Sequence, residues 1–228
     1  MNNIEFISNM ARYATRIFEE PDGVNPSVVI AQAILESGWG TSELSKYNNF
    51  FGLNNYKDGY LVNAGTIKKC VPQEHNGKIT YNYEDMATFK TVEDCFKSLK
   101  KWYTRPHYIQ NLKEAGNDSF KQIEAIKKSG YATSSQYVEA ITRIIKENNL
   151  LKYDKLYSIQ CGAFTYSSNA GNLMNLLNNK FNRNLFYRHY DGKWFYVRAF
   201  ESHSKKNIYE WLAANRAMLP DGSFVKEV

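Results

Sequence analysis

The 228-residue sequence has no apolar run approaching the roughly 20 residues that a membrane-spanning helix needs, so no membrane insertion is expected. Its three cysteines cannot all pair, which excludes a disulfide-built scaffold. Five prolines and 13 glycines exclude a collagen-like or low-complexity chain. There is no run of five or more Lys/Arg, so the net charge of +6 does not imply a nucleic-acid partner. It fits an anionic polymer or surface instead. No apolar segment follows a basic start in the first 20 residues, where Glu5, Arg12, Arg16, Glu19 and Glu20 are spread; no secretory signal is read, and synthesis in a reducing cytoplasm is expected. The four histidines (75, 107, 189, 203) and three cysteines (70, 95, 161) lack paired ligand spacing, Cys70 and His75 being an isolated couple. Neither a metal nor another cofactor is expected, and the cysteines read as buried structural residues.

What is present is an ordinary globular balance, 43% hydrophobic and 23% charged, with 15% aromatics that suit either large cores or flat ligands such as sugar rings. Residues 1 to about 153 read mostly helical. Ile4, Ile7, Tyr13 or Ala14, and Ile17 with Phe18 recur at helical spacing, and Asn25-Pro26 marks the cap and start of a second helix that Gly38 ends. Between them Val28–Leu35 is apolar nearly all round, which predicts a buried central helix. Residues 56–90 switch to short Tyr-, Val- and Thr-containing runs around an Asn76-Gly77 turn, a β-hairpin lobe. Helical patterns resume at 92–99, 120–128 and 136–149, with Ser134 or Ser135 as cap of the last.

From residue 156 the period becomes two. A strand at 156–161, a helix at 169–180 with Leu173, Leu176 and Leu177 on one face, strands at 185–190 and 194–200 around Asp191-Gly192, a helix at 205–219 and a strand at 224–227 give a β-α-β-β-α-β order. The predicted fold class is therefore α+β: a mainly helical domain with a small β-lobe, residues 1–153, and a ferredoxin-like domain, residues 155–228.

Glu36 is the first candidate for chemistry. It shares a helix face with Ala33 and Val29, where lost hydration raises a carboxyl pKa, and it lies in the last turn, where the helix dipole disfavours an anion. Both effects keep it protonated near neutrality, as a general acid requires. A glutamate snorkelling to solvent at a helix end is the alternative.

The stretch Ala31-Gln32-Ala33-Ile34-Leu35-Glu36-Ser37-Gly38-Trp39-Gly40, followed by Asn48-Asn49-Phe50-Phe51-Gly52-Leu53 and later Gly130-Tyr131-Ala132-Thr133, resembles the β-N-acetylglucosaminidases of glycoside hydrolase family 73. The resemblance covers residues 3–153. It implies a lysozyme-like helical fold and cleavage of peptidoglycan glycan strands at the β-1,4 bond on the reducing side of N-acetylglucosamine. Carried over by position, Glu36 is the catalytic acid and Tyr131 lies near the scissile bond, where its phenol would meet the acetamido group or the attacking water. Glu74, before the Asn76-Gly77 turn, is the second carboxylate, with Glu84 and Asp85 as alternatives. Trp39, Asn49, Phe50 and Phe51 would line the groove. The chain departs from the family in having Met86-Ala87 where a phenylalanine-arginine pair is common.

A second resemblance rests on Tyr157-Ser158-Ile159-Gln160-Cys161-Gly162-Ala163-Phe164 and Trp194-Phe195-Tyr196-Val197-Arg198-Ala199-Phe200, which are similar to the SPOR (sporulation-related repeat) domain, a binder of peptidoglycan glycan strands. Strand parity puts Ile159 and Cys161 toward the helices and Ser158, Gln160, Tyr196 and Arg198 on the open face, so Gln160, Tyr196 and Arg198 are the wall-binding candidates. The expected protein is a monomeric wall hydrolase of the endolysin or autolysin type, made without a signal peptide and acting on the wall after release, with phage origin as one source. A muramidase, a lytic transglycosylase and a non-catalytic wall-binding protein are the alternatives.

Overall fold

A computed structural model describes residues 2–19, 23–75 and 78–228; for residues 72–75, 78 and 79 only the backbone is described. The chain divides into two compact units, one running to Asp154 apart from a three-residue stretch beginning at Glu19, the other holding that stretch and Lys155–Val228.

The first unit is built around α2 (Pro26–Ser37), in which every residue from Val28 to Ala33 is essentially inaccessible. A helix that is apolar all round must be covered all round. Helix α1 (Asn3–Ile17), α5 (Ser119–Lys128) and α6 (Tyr137–Glu147) pack against it. Between α2 and α5 the chain forms the antiparallel hairpin β1 (Ala64–His75) and β2 (Lys78–Phe89), then α3 (Val92–Trp102) and α4 (Pro106–Ala115). The Asn76-Gly77 turn expected between the strands lies outside the described residues.

Asn25 and Pro26 stand at the cap and the first position of α2, as expected, but the Asn25 side chain makes no cap bond, and one expectation, at α6, is corrected. The Asp154 carboxylate, 127 residues away, accepts from the Ser27 amide (2.7 Å), the Ser27 hydroxyl (2.5 Å) and the Ser119 hydroxyl (2.8 Å), satisfying a helix-start N–H that the local sequence leaves open. Asn25 instead donates to Ser119 Oγ, and its own amide donates to Gln122 Oε1. The cap position of α6 is Gln136, not Ser134 or Ser135, and no side chain caps the helix; Ser134 Oγ accepts from the Gln136 amide at 3.3 Å.

The second unit has β3 (Tyr157–Phe164), α7 (Ser167–Phe181), β4 (Phe186–Tyr190), β5 (Phe195–Ser202), α8 (Lys205–Asn215) and β6 (Phe224–Glu227). The sheet is antiparallel in the order β4-β5-β3-β6. Ile159, Cys161, Val197 and Ala199 are buried in its core with Ala170, Leu177 and Ile208 from the helices. Leu176, expected beside Leu173 and Leu177, is 63% exposed, because the helix turns it off the packed face.

Candidate active site

The motif after Ile34 folds into a tight reversal. Gly38, Trp39 and Gly40 all have left-handed backbones, with φ of 55°, 60° and 77°. The Trp39 amide donates to the Ile34 carbonyl, and Ser37 Oγ accepts from the Gly40 amide at 2.8 Å. Gly40 is required twice over: its φ suits glycine, and a Cβ there would stand 2.8 Å from the Phe6 ring. The reversal leaves Glu36 in the last turn of α2 and half-buries Trp39 edge-on against Phe6.

Glu36 is partly buried, and loss of hydration raises its carboxyl pKa to about 7. Among the described residues it has neither a hydrogen-bond nor an ion-pair partner. Gly52 lies over it, close enough that an added Cβ would be 3.6 Å from the carboxyl. Its electrostatic neighbours are three phenols: Tyr103 at the end of α3, Tyr131 and Tyr137. Their pKa values are pushed well above the ordinary tyrosine value by burial and by the Glu36 charge. The rings form one cluster, with centroids 6.3 Å (Tyr103–Tyr131) and 5.9 Å (Tyr131–Tyr137) apart. Beneath them Gln32, one turn before Glu36 and fully buried, accepts from the Tyr103 hydroxyl (2.7 Å) and donates to the Tyr137 oxygen (2.8 Å). Tyr131 donates to the Phe51 carbonyl at 2.8 Å, so its proton is engaged by the protein and its free lone pair is what remains for a ligand.

The structure thus brings Glu36 and Tyr131 together and adds Gln32, Tyr103 and Tyr137, to which sequence reasoning gave no role. Gln32 carried a signal: it is the one polar side chain in the run Val28–Leu35. The two tyrosines carried none among 17.

Three groove candidates are corrected. Asn49 is 1% exposed and its amide is engaged by backbone, donating to the carbonyls of Leu53 and Ala87 (both 2.9 Å) and accepting from the Leu53 amide. It pins the turn that carries Phe51 and Gly52. Phe51 is 1% exposed and packs edge-on against Phe96 at 4.9 Å, and Phe50 is buried beside Phe6. None of the three presents a side chain to a sugar.

Glu74 lies on β1, paired with Ile79, and its side chain lies outside what is described. Glu84 and Asp85, both partly buried on β2, line a groove of about 400 Å³ with Tyr56, Tyr83 and Lys68. Among the described residues no group of three or more His, Cys, Asp or Glu could hold a metal. Cys95 and Cys161 are buried, and the Cys95 thiol is pushed up to about 12 by burial, whereas Cys70, expected to be buried, is exposed on the hairpin.

In the second unit Gln160 and Arg198 face each other across β3 and β5, and Tyr187 faces Arg198 across β4. This face is less open than parity suggested. Gln160 is 8% and Arg198 7% exposed, and Ser158 is fully buried, because Tyr187 closes over Ser158 and bonds Glu201. Gln160 Oε1 and Arg198 Nε are buried without a hydrogen-bond partner among the described residues. Tyr196 is half-buried, donates to Asp191 and lies 5.0 Å below the Arg198 guanidinium.

Comparison with known proteins bears on the first unit. The glucosaminidase family, described as mannosyl-glycoprotein endo-β-N-acetylglucosaminidase, matches residues 12–150. The chain is 33% identical over 157 residues to the exo-glucosaminidase LytG of Bacillus subtilis, covering 66% of this chain and 53% of that protein. It is 30% identical over 158 residues to an autolysin of Enterococcus faecalis, covering 66% of this chain and 21% of that protein. The chain therefore spans about half or less of the length of these relatives. Among solved structures, a peptidoglycan hydrolase mutant from Sphingomonas sp. A1 superposes with a TM-score of 0.55 at 21% identity, covering 65% of this chain and 96% of that one. The catalytic domain of the autolysin Auto from Listeria monocytogenes gives 0.54 at 22%, covering 66% and 86%. These two share the fold of the first unit. With the family matching more than half of its length, across the helix that carries Glu36 and the loop that carries Tyr131, the chain belongs to the glucosaminidase family.

Proposed function

We propose that this protein hydrolyses the glycan strands of bacterial peptidoglycan at the β-1,4 bond on the reducing side of N-acetylglucosamine, with Glu36 as general acid. The observation that carries this is a carboxyl raised to about 7 by burial, with no described cation or hydrogen bond to hold it ionised. Such a group holds a proton at neutral pH and delivers it to the leaving glycosidic oxygen as the C1–O bond breaks. Glu74 on the hairpin is the proposed second carboxylate. In an inverting scheme it activates water across a gap of ~6.5–9.5 Å; in a substrate-assisted scheme it orients the acetamido group. Tyr131 offers a lone pair to an acetamido N–H while its own O–H donates to the Phe51 carbonyl. Trp39 is the remaining aromatic candidate for stacking on a sugar face. The relatives named exo-glucosaminidase and autolysin support a wall substrate. Digesting purified wall sacculi with the full chain and reducing the products should place N-acetylglucosaminitol at the new ends by mass spectrometry. N-acetylmuramitol would indicate a muramidase, and 1,6-anhydro ends a transglycosylase.

The second unit is proposed to be a SPOR-like module that holds the protein on glycan strands through Gln160, Arg198 and Tyr196. Its β-α-β-β-α-β order and the paired unsatisfied atoms of Gln160 and Arg198 support this. In a Glu36→Gln background, the full chain should sediment with sacculi, and adding Gln160→Ala with Arg198→Ala should weaken that binding by about tenfold or more. Unchanged sedimentation would remove these two residues from the wall contact. The site of action is proposed to be the wall, after release of a protein made in the cytoplasm.

A further inference from the structure

The chain that passes over Glu36 at Gly52 leads on to a second feature. It runs antiparallel along β2: the Ala87 amide donates to the Leu53 carbonyl, Asn54 bridges Met86, and the Asn55 amide donates to the Asp85 carbonyl. From Gly52, four residues carry an extended backbone at most about 13 Å. At the end of that reach stands Tyr56, 59% exposed. Its ring is held on one side and open on the other. It packs on Trp102 with centroids 5.8 Å apart, and its oxygen accepts from Asn54 Nδ2 at 2.8 Å. Trp102 is fixed in turn, because the Arg105 guanidinium lies 3.4 Å from its ring centre and its indole N–H donates to the Tyr108 oxygen. Tyr56 lines the groove of about 400 Å³ together with Tyr83, which is 79% exposed. The hairpin register sets Lys68 opposite Asp85, and both line the same groove.

We propose that Tyr56 and Tyr83 form a subsite for one sugar ring of the glycan strand, beyond the ring whose bond Glu36 breaks. The inference rests on the reading of wall glycan as the substrate. A pyranose presents C–H faces and a rim of hydroxyl and acetamido groups. Exposed phenol rings meet the faces. At the rim, Lys57 and Lys68 balance Glu84 and Asp85, so the groove carries no net formal charge. Neutral groups that both donate and accept can use cations and carboxylates alike, whereas an anionic ligand gains no net attraction from a balanced set. The volume falls within the range of ~300–1,000 Å³ typical of small-ligand sites. Packing on Trp102 and the bond from Asn54 restrict the Tyr56 ring before any ligand arrives, which lowers the ordering that binding costs. The pair also supplies the exposed rings that Phe50 and Phe51, buried in the core, do not.

The test measures initial cleavage rates on glycan strands fractionated by length, with and without stem peptides. The proteins are the full chain and its Tyr56→Ala, Tyr83→Ala, Tyr56→Phe and Tyr81→Ala variants. On long strands each of the first two should raise KM about tenfold and leave kcat within about twofold, as expected when binding common to ground and transition states is lost. On the shortest oligomer that is cleaved, which stops short of the groove, both should match the parent. A merely structural role would lower activity at every length. Tyr56→Phe keeps the ring and should stay near the parent. Tyr81, 71% exposed on the same strand, is not among the residues lining the groove, and Tyr81→Ala should change nothing. Tyr83→Ala carries the test if Tyr56→Ala disturbs the packing on Trp102. Unchanged KM in both alanine variants, or equal losses at every length, would overturn the subsite. A rise in KM confined to strands that keep their stem peptides would assign the groove to the peptide and overturn it as well. Failure of the parent to cleave any strand would remove the glycan reading itself, a separate outcome.

Discussion

Glu36→Gln should abolish wall hydrolysis, lowering the rate by ~10²–10⁴-fold as expected for loss of a general acid, and should at the same time make the fold more stable at pH 8. The second effect follows from linkage. The folded state raises the Glu36 pKa to about 7, above that of an unfolded glutamate near 4.3. Between these values the native chain binds more protons than the unfolded chain, so its stability falls as pH rises through that window. Above pH 7 the native state carries a desolvated anion costing about 3–4 kcal/mol, and glutamine removes that cost while keeping the shape. Urea unfolding at pH 8 should show the gain, and at pH 4, where both states are protonated, it should vanish. Equal stability of the two proteins at both pH values would mean that Glu36 is well hydrated, and the case for a stored proton would fall with it.

The second large effect is expected at Asp154. Its carboxylate closes the start of α2 and ties it to Ser119 on α5. Asp154→Ala strands the Ser27 amide and leaves the Ser27 and Ser119 hydroxyls to each other and Asn25 in a largely buried setting, at a cost of about 3 kcal/mol. For a chain of this size that lowers Tm by roughly 6–12 °C. Differential scanning calorimetry on the full chain checks it. Asp154→Asn should fall in between, since an amide oxygen can still accept from the Ser27 amide. A shift under 2 °C for the alanine variant would mean that water replaces the carboxylate freely. The position also bears on where the catalytic domain ends. A boundary at 153, drawn from where the hydrophobic period changes, omits the residue that caps the central helix.

Asp154 illustrates what can be read from the chain and what cannot. The central helix was legible at both ends because Pro26 and Gly38 act locally, through a fixed φ and a left-handed φ. Its cap was not, because the acceptor arrives from a distance in sequence. Helix α4 escaped notice because only Tyr108 among its residues is buried, which leaves almost no apolar stripe to detect. The element order of the second unit was legible because strict alternation and the Asp191-Gly192 turn are short-range signals. The character of its outer face was not: parity says which side Gln160 and Arg198 occupy, but not that Tyr187 would close over that side. The site divides in the same way. Glu36 stood out because an acid on an apolar stripe is anomalous. Phe50 and Phe51 looked like sugar platforms because aromatic residues beside a catalytic motif invite that reading, yet the chain reversal at Asn49 turns them into the core. Tyr103 and Tyr137 come to Glu36 only through tertiary structure, Tyr137 by the packing of α6 on α2 and Tyr103 by its bond to Gln32 from the end of α3.

The three thiols differ enough to be told apart by a reagent. Cys95 is sealed in the core with its thiol pushed to about 12, Cys161 is buried with its thiol also raised, and Cys70 stands exposed midway along the hairpin. Maleimide chemistry at neutral pH requires an accessible thiol with some thiolate character, so the native chain should take a single fluorophore, on the arm that also carries Glu74. Any swing of that arm during turnover then becomes readable from a dye placed without altering one residue.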